Sequence, residues 1–473
     1  MLIIKSPPNY KSEREYICHL LFEQFLGIEY LLQYYEGSRY WSISTNNEIC
    51  LIMPDVFFQT PNDKWLTPES LPVQPLIRLD PHSLGYNHNL LEHERELPVI
   101  FGDVDCFRKL HSPHNDTNDR VAYLPIDIFG SAFFMLSRYE EVVKKERDEH
   151  DRFPAWASLA FQEGFLDRPI VNEYLEILWT TINKLWPGLK RKKRVFQLQV
   201  SCDVDHAYQE GLKNFPKQIK HMGGDLIIRK SPKLACKSFI NYFASKFNNF
   251  SYDPHYYYIE WVMDENEKVG NQVTFFLKSG KTHPVYDAPV YLNDQVVRKL
   301  IRRIYDRGHH IGLHPSYNTY KDKKQLRYEA NILRNVLSEE GIKQKYLGSR
   351  QHFLRWDPLI TPTFLEDAEI NYDTTLTFAD HAGFRCGICY EYPLYDLKNR
   401  KLLNLVEIPL IVMECSVGSK QYMNIGYGDK FINYIIKLKE TIKHFEGTFT
   451  LLWHNSSFYS KNMELAYLTC IKS

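Results

Sequence analysis

The chain has 473 residues, and Lys+Arg equals Asp+Glu at 58 each. That length exceeds one ordinary core and predicts two or three domains, while the balanced charge excludes a global field for nucleic acid. No run of about 18 apolar residues occurs, so no membrane span is expected; the start MLIIKSPPNY lacks the parts of a secretory signal, and nine scattered Cys fit reduced thiols, so the expected location is cytoplasmic.

Residues 1–190 mix helical and extended patterns and read as an N-terminal α+β domain. Tyr16 to Leu26 reads as helix, and the run DIFGSAFFMLSRYEEVV, Asp127 to Val143, as a helix with an apolar face. Trp179 to Leu189 closes the region. The basic run Arg191 to Arg194 reads as a solvated linker at the domain boundary. Tyr is common, with 32 copies; aromatic faces suit sugar clefts, but Tyr is also common in cores and loops, and composition alone favours that reading.

Residues 195–473 alternate strand and helix. Phe196, Leu198 and Val200 alternate with Gln197 and Gln199 in a strand that ends at Asp203. Residues 256–269 read as helix, and Val273 to Leu277 as an apolar strand. Asn293 can cap a helix carrying Val297, Leu300, Ile301 and Ile304, with Gly308 as its stop. Ile311 to Leu313, Leu347 to Arg350, Leu405 to Met413 and Phe449 to Trp453 read as strands, and Tyr328 to Leu337 as helix. Such alternation predicts a parallel α/β barrel or doubly wound sheet, with its site at the strand C-termini.

Residues 211–255 break the alternation. They are rich in basic and aromatic residues, including Lys213, Lys217, Lys220, Arg229, Lys230, Phe239 and Phe247. This stretch reads as an insertion near the mouth, either a solvated helical hairpin or a contact with an anionic handle or a membrane surface. Cys386 and Cys389 have CxxC spacing without a second pair, which favours two buried thiols over a zinc or redox role.

Four strand ends finish in ionisable residues: Asp203, Asp205 and His206; then His309, His310, His314 and Asn318; then Arg350 and His352; then His454. A carboxylate and imidazoles aimed into one mouth can hold a divalent ion, with zinc the expected cofactor. A second carboxylate beside the ligands can serve as base, an Arg can pair with it, and a His opposite can protonate a leaving amine. Each motif alone is weak, because Asp103-Val104-Asp105 spells the same DVD as Asp203-Val204-Asp205. His309 and His310 read better as surface or helix-end residues.

Taken together, the motifs resemble the polysaccharide deacetylase superfamily, the NodB-homology carbohydrate esterases (family 4-like), over about residues 195–473. The strings carrying the likeness are DVD at Asp203, TFF at Thr274 to Phe276, GHHIGLH from Gly308 to His314, SRQHF around Arg350, and Leu452 with His454. GLHPSYN, SRQHF, YDTTL and GFRCG look like a subgroup in which a domain of unknown function precedes the barrel. The resemblance implies a deformed (β/α) barrel with Asp203 as base, Asp205 and His314 as metal ligands, Arg350 orienting the base and His454 as acid. The family's second metal His falls on Asn318, a poorer zinc ligand. His352, or with less support His206, is the expected replacement.

The function so implied is metal-dependent hydrolysis of a C–N amide bond, deacetylating an N-acetylated sugar in bacterial surface-polysaccharide metabolism. The missing signal points to a precursor inside the cell. Two alternatives stand beside it: a degenerate, non-catalytic carbohydrate-binding homologue, favoured by Asn318, and a metal hydrolase of another amide.

Overall fold

The fold was analysed in a computed structural model, which describes every residue except 46–48, 85–95, 105–120, 210–211, 213, 228–231, 248, 291 and 473. Asp105, Lys213, Arg229 and Lys230, singled out above, lie outside the described residues.

The N-terminal region builds a five-stranded mixed sheet from Leu2–Ser6 (β1), Tyr30–Tyr34 (β2), Tyr40–Ser44 (β3), Cys50–Pro54 (β4) and Val121–Tyr123 (β7), in the order β2-β1-β3-β4-β7. Ile77–Leu79 (β5) and Leu97–Val99 (β6) form a separate antiparallel pair. The helical reading of Tyr16 to Leu26 is realised in two pieces, an α-helix over Lys11–Cys18 and a π-helix over His19–Leu26 that ends at Gly27, whose φ is 65°. The run from Asp127 to Val143 is not one helix. It breaks into Ile128–Leu136 and Tyr139–Val143 because Arg138 adopts a left-handed backbone, φ 56°, with its guanidinium bonded to Glu141 and to the Met135 carbonyl.

The second region is a nine-stranded sheet, parallel except at one edge. Its strands are Gln197–Val204 (β8), Val273–Leu277 (β9), His310–Leu313 (β10), Gly348–Ser349 (β11), Tyr372–Asp373 (β12), Tyr392–Asp396 (β13), Lys401–Glu407 (β14), Val412–Met413 (β15) and Thr448–Leu452 (β16). They lie in the order β13-β14-β12-β11-β10-β9-β8-β16-β15, with only β13 and β14 antiparallel. Val273, Phe275, Phe276 and Leu277 are all buried, as are all five residues of β16; apolar runs without alternation are what strands covered on both faces require. The helix Gln295–Asp306 places Val297, Leu300, Ile301 and Ile304 against the sheet at helical spacing. Its cap position is Asp294 rather than Asn293, and that carboxylate accepts the Tyr208 hydroxyl instead of capping. Among the described residues no pairing joins β13 to β15, so the ladder is open between its two ends.

One apolar core runs through both regions, from Leu2 to Ile471. The seam is also polar, fully buried at Glu141 and open to solvent at Arg400. Glu141 accepts two bonds from Arg385, at 2.8 and 2.7 Å, and one from Arg138 at 2.9 Å. Glu13 does the same for Arg400 at 2.6 and 2.8 Å. The GFRCG segment crosses the open side of the ladder: Gly383 N–H reaches the Ile411 carbonyl, Phe384 N–H the Leu166 carbonyl, and the Gly387 carbonyl accepts from Val171. Gly383 has no substitute there, because a Cβ would meet the Leu166 oxygen at 2.5 Å. Cys386 and Cys389 lie at this seam as buried free thiols. The basic run is not a free linker either. Arg191 pairs with Glu176 at 2.5 Å, and Arg194 pairs with Glu391 at 3.1 Å while stacking on Tyr390.

Candidate active site

Because β8 to β12 and β14 to β16 run parallel, their C-terminal ends open on one edge. Asp203 lies within the end of β8 and Asp205 just past it. His314 follows β10, Arg350 follows β11, Glu414 follows β15, and His454 stands two residues beyond β16. His352 begins a short 3₁₀ turn after β11. These ends surround a cleft of roughly 160 Å³.

Asp205, His314 and His352 converge. Asp205 Oδ1 lies 3.4 Å from His314 Nε2 and 3.3 Å from His352 Nε2. The other ring nitrogens are committed: His314 Nδ1–H donates to the Arg350 carbonyl at 2.6 Å, and His352 Nδ1–H to Asp287 Oδ1 at 2.8 Å. The Arg350 carbonyl fixes the His314 tautomer, and Asp287 favours the matching one at His352, whose Nδ1 also lies 3.2 Å from Lys278 Nζ; in both rings Nε2 faces Asp205. Asp205 Oδ1 and His314 Nε2 are buried atoms without a hydrogen-bond partner. Orphaned acceptors aimed at one point are costly unless a further group satisfies them. One carboxylate oxygen and two imidazole nitrogens fit a divalent ion with an open position. Burial opposes the charge on Asp205, while the His352 and His314 imidazoles, when protonated, hold it well below the usual carboxylate range.

Asp287 anchors this arrangement. It accepts Thr282, His283 and Tyr317 N–H groups and pairs with buried Lys278 at 3.2 Å. Burial resists its ionisation, yet the His352 hydrogen bond and the Lys278 ammonium push its carboxyl far below the ordinary value.

Asp203 and Arg350 form the second element. Arg350 Nη1 lies 3.1 Å from Asp203 Oδ1 and donates to Ser201 Oγ at 2.8 Å; Nε and Nη2 bond Thr374. The guanidinium also stacks over Phe276 at 4.7 Å. Asp203 Oδ2 is 3.9 Å from His314 Nε2, so this carboxylate borders the ligand cluster without joining it.

His454 stands on the opposite wall with Nδ1 2.7 Å from Glu414 Oε1, which also accepts the His454 backbone N–H at 3.2 Å. Burial alone would lower the imidazole pKa, but the Glu414 carboxylate overrides it and raises it to about 10. The ring is therefore a cation at neutral pH with Nε2 as its remaining donor. Cys415 lies close enough to Glu414 and His454 to form a second three-donor group, although the imidazole there is already tied to Glu414.

The N-terminal region supplies part of the cleft. Arg152 is held by Asp148 at 2.7 Å, donates to the Phe353 carbonyl at 3.1 Å and reaches the Tyr422 hydroxyl at 3.4 Å. Phe353 and Leu354, next to His352, both have left-handed backbones at φ 60° and 56°. Two bulky residues in that region store strain that their surroundings must hold, a feature common beside functional sites.

Asn318 does not join the ligands. It is exposed, its amide donates to the Thr282 carbonyl, and its oxygen accepts from Arg355. His206 packs its ring beside His255 at 5.6 Å and is outside the cluster. His309 is structural, bonded to Val273 N–H and Glu267, and His310 is an exposed residue facing Gln272. Sequence reasoning missed Glu414 and Lys278, although each directly follows a predicted strand and the same strand-end rule reaches both. Asp287 and Arg152 carry no such local signal, because one sits in a loop and the other arrives from the other half of the chain.

Residues 2–187 match a family of unknown function, DUF7033. No curated protein matches the sequence. Among solved structures, the chain is similar to one described as a polysaccharide deacetylase from Mycobacterium smegmatis, at 15% identity over 60% of this chain and 84% of that one, with a TM-score of 0.38. It is similar at 13% identity to a PuuE allantoinase, over 61% and 85% of the two chains, with a TM-score of 0.36.

Proposed function

We propose that this protein is a metal-dependent hydrolase of a C–N amide bond and that its substrate is an N-acetylated sugar. The observation that carries the reading is the convergence of Asp205 Oδ1, His314 Nε2 and His352 Nε2, with two of these buried atoms unpartnered. A divalent ion held by these three side chains would polarise an amide carbonyl and make water more acidic. Asp203, oriented by Arg350 and bordering the ligands, takes the proton of the attacking water. His454, kept cationic by Glu414, donates a proton to the leaving nitrogen. Phe353, Leu354 and Met413 line the cleft and limit water around the reacting group.

The test pairs metal analysis of the purified protein with acetate release from N-acetylated saccharides, with and without chelator. The expected protein contains one tightly held divalent ion, zinc by donor type, and loses acetate release with chelator or as Asp203→Asn. Activity indifferent to both treatments rejects the mechanism, and metal that survives Asp205→Asn rejects the ligand set. Release of a product other than acetate from a non-saccharide amide keeps the chemistry and changes the substrate.

A further inference from the structure

Between β8 and the helix Pro254–Lys268 the chain forms two helices, Phe215–Ile227 and Pro232–Lys246. Ile219, Leu226 and Ile227 on the first, and Phe239, Phe243 and Phe247 on or just after the second, are all exposed. Ile227 and Phe247 keep 79% and 84% of their surface open. Phe239 and Phe243 meet ring to ring at 4.6 Å, so part of this surface is a joined patch. A single exposed apolar residue is ordinary; a group of this size marks an interaction surface.

The charge of the same stretch narrows the partner. From Lys213 to Lys246 there are eight Lys and Arg residues against one acid, Asp225, and the rest of the chain is acidic by the same margin. Two hairpins packed against each other would bring like charge against like charge. A polyphosphate chain would satisfy the lysines and leave the Phe, Ile and Leu side chains in water. An anionic lipid surface answers both features, with acyl chains for the apolar residues and headgroup phosphates for the basic ones.

We propose that this hairpin docks the protein on an anionic membrane surface without crossing it; among the described residues no helix is long and apolar enough to span a bilayer. The hairpin leaves the fold after the C-terminal end of β8, the end that carries Asp203 and Asp205. Docking therefore brings the root of the hairpin, and with it the C-terminal end of β8, toward the membrane, while the acidic remainder of the chain is repelled from the same surface.

The experiment floats the full-length protein with vesicles of phosphatidylcholine containing about one-third phosphatidylglycerol, and with phosphatidylcholine alone. The expected result is at least about tenfold stronger partitioning onto the anionic vesicles, weakened by high salt. Two variants at exposed positions, Ile227→Ser with Phe247→Ser and Lys217→Glu with Lys220→Glu, should each lose at least about fivefold of it while keeping the wild-type circular dichroism and melting curve. Protein that stays unbound, equal binding to both vesicle types, or variants that float like wild type would overturn the proposal. So would a wild-type dimer in sedimentation that the apolar variant dissolves without changing flotation. None of these readouts depends on amide hydrolysis, so the docking proposal and the proposed chemistry can fail separately.

Discussion

Replacing Glu414 by Gln tests the acid half of the mechanism. The imidazole of His454 has an ordinary value of 6.5 and is buried, which disfavours its cation; the Glu414 carboxylate overrides burial and lifts it to about 10. Neutralising residue 414 keeps the side chain's size and removes the largest influence that raises the imidazole, leaving the smaller ones of Asp205 and Asp203, so the pKa falls toward its ordinary 6.5. At pH 8 the cationic fraction then drops from nearly all toward about 3%, a loss of up to roughly thirtyfold if the His454 proton is required. The sign is fixed: a protonated acid is lost as pH rises, so the alkaline limb of the kcat profile moves down from near pH 10 toward about pH 6.5, and activity recovers on acidification. The assay is acetate release across pH, with metal content measured in parallel. An alkaline limb unchanged in Glu414→Gln, in protein that keeps its metal, refutes the assignment of His454.

Three further expectations follow from the same geometry. His352→Ala should lose bound metal as completely as His314→Ala, whereas Asn318→Ala should keep it, read by elemental analysis. Asp287→Asn should weaken metal affinity by about 10- to 100-fold in a competition titration, because the carboxylate that orients His352 loses its charge; unchanged affinity would show that His352 needs no such support. Glu141→Gln leaves Arg385 and Arg138 buried without their main counter-ion and should cost about 3–5 kcal/mol in denaturant unfolding. Burial resists the Glu141 charge, but Arg385 and Arg138 hold its carboxyl down at about 2, below its ordinary 4.5. A depressed carboxyl stabilises above its unfolded value and stops doing so as pH falls through the folded one. Wild type should therefore lose about 3 kcal/mol between roughly pH 4.5 and 2 that the Gln variant does not.

The strands of the second region were legible because buried parallel strands are continuous apolar runs, and VTFFL and FTLLW could be read as little else. The strand-end rule then reached Asp203, Asp205, His314, Arg350 and His454, which the structure gathers around one cleft. The bend at Arg138 escaped because it depends on a salt bridge to Glu141 and on Arg385, 244 residues further on. The same holds for Asp287, whose role exists only once the loop after β9 folds back onto His352. Asn318 was misleading for the opposite reason. Family spacing placed it among the ligands, but its amide is engaged by Thr282 and Arg355, and His352 occupies the inward position. The solvated-linker reading of Arg191 to Arg194 holds for exposed Lys192 and Lys193 but not for the two arginines, which Glu176, 15 residues back, and Glu391 meet in space.

The open side of the nine-stranded ladder leaves the second half of the chain without a finished edge. Leu166 and Val171 of the first half meet the backbone of residues 384–387 there, and Glu141 meets Arg385, so the first half acts as a missing stave. A fragment beginning near residue 195 would carry every proposed ligand and still present an incomplete wall, with Arg385 keeping the Thr377 carbonyl and Phe378 but losing its Glu141 counter-ion. Two separately expressed halves should therefore fail to bind metal apart and bind it when mixed. Association of the halves, rather than any change at Asp205 or His314, would then decide when the cleft exists.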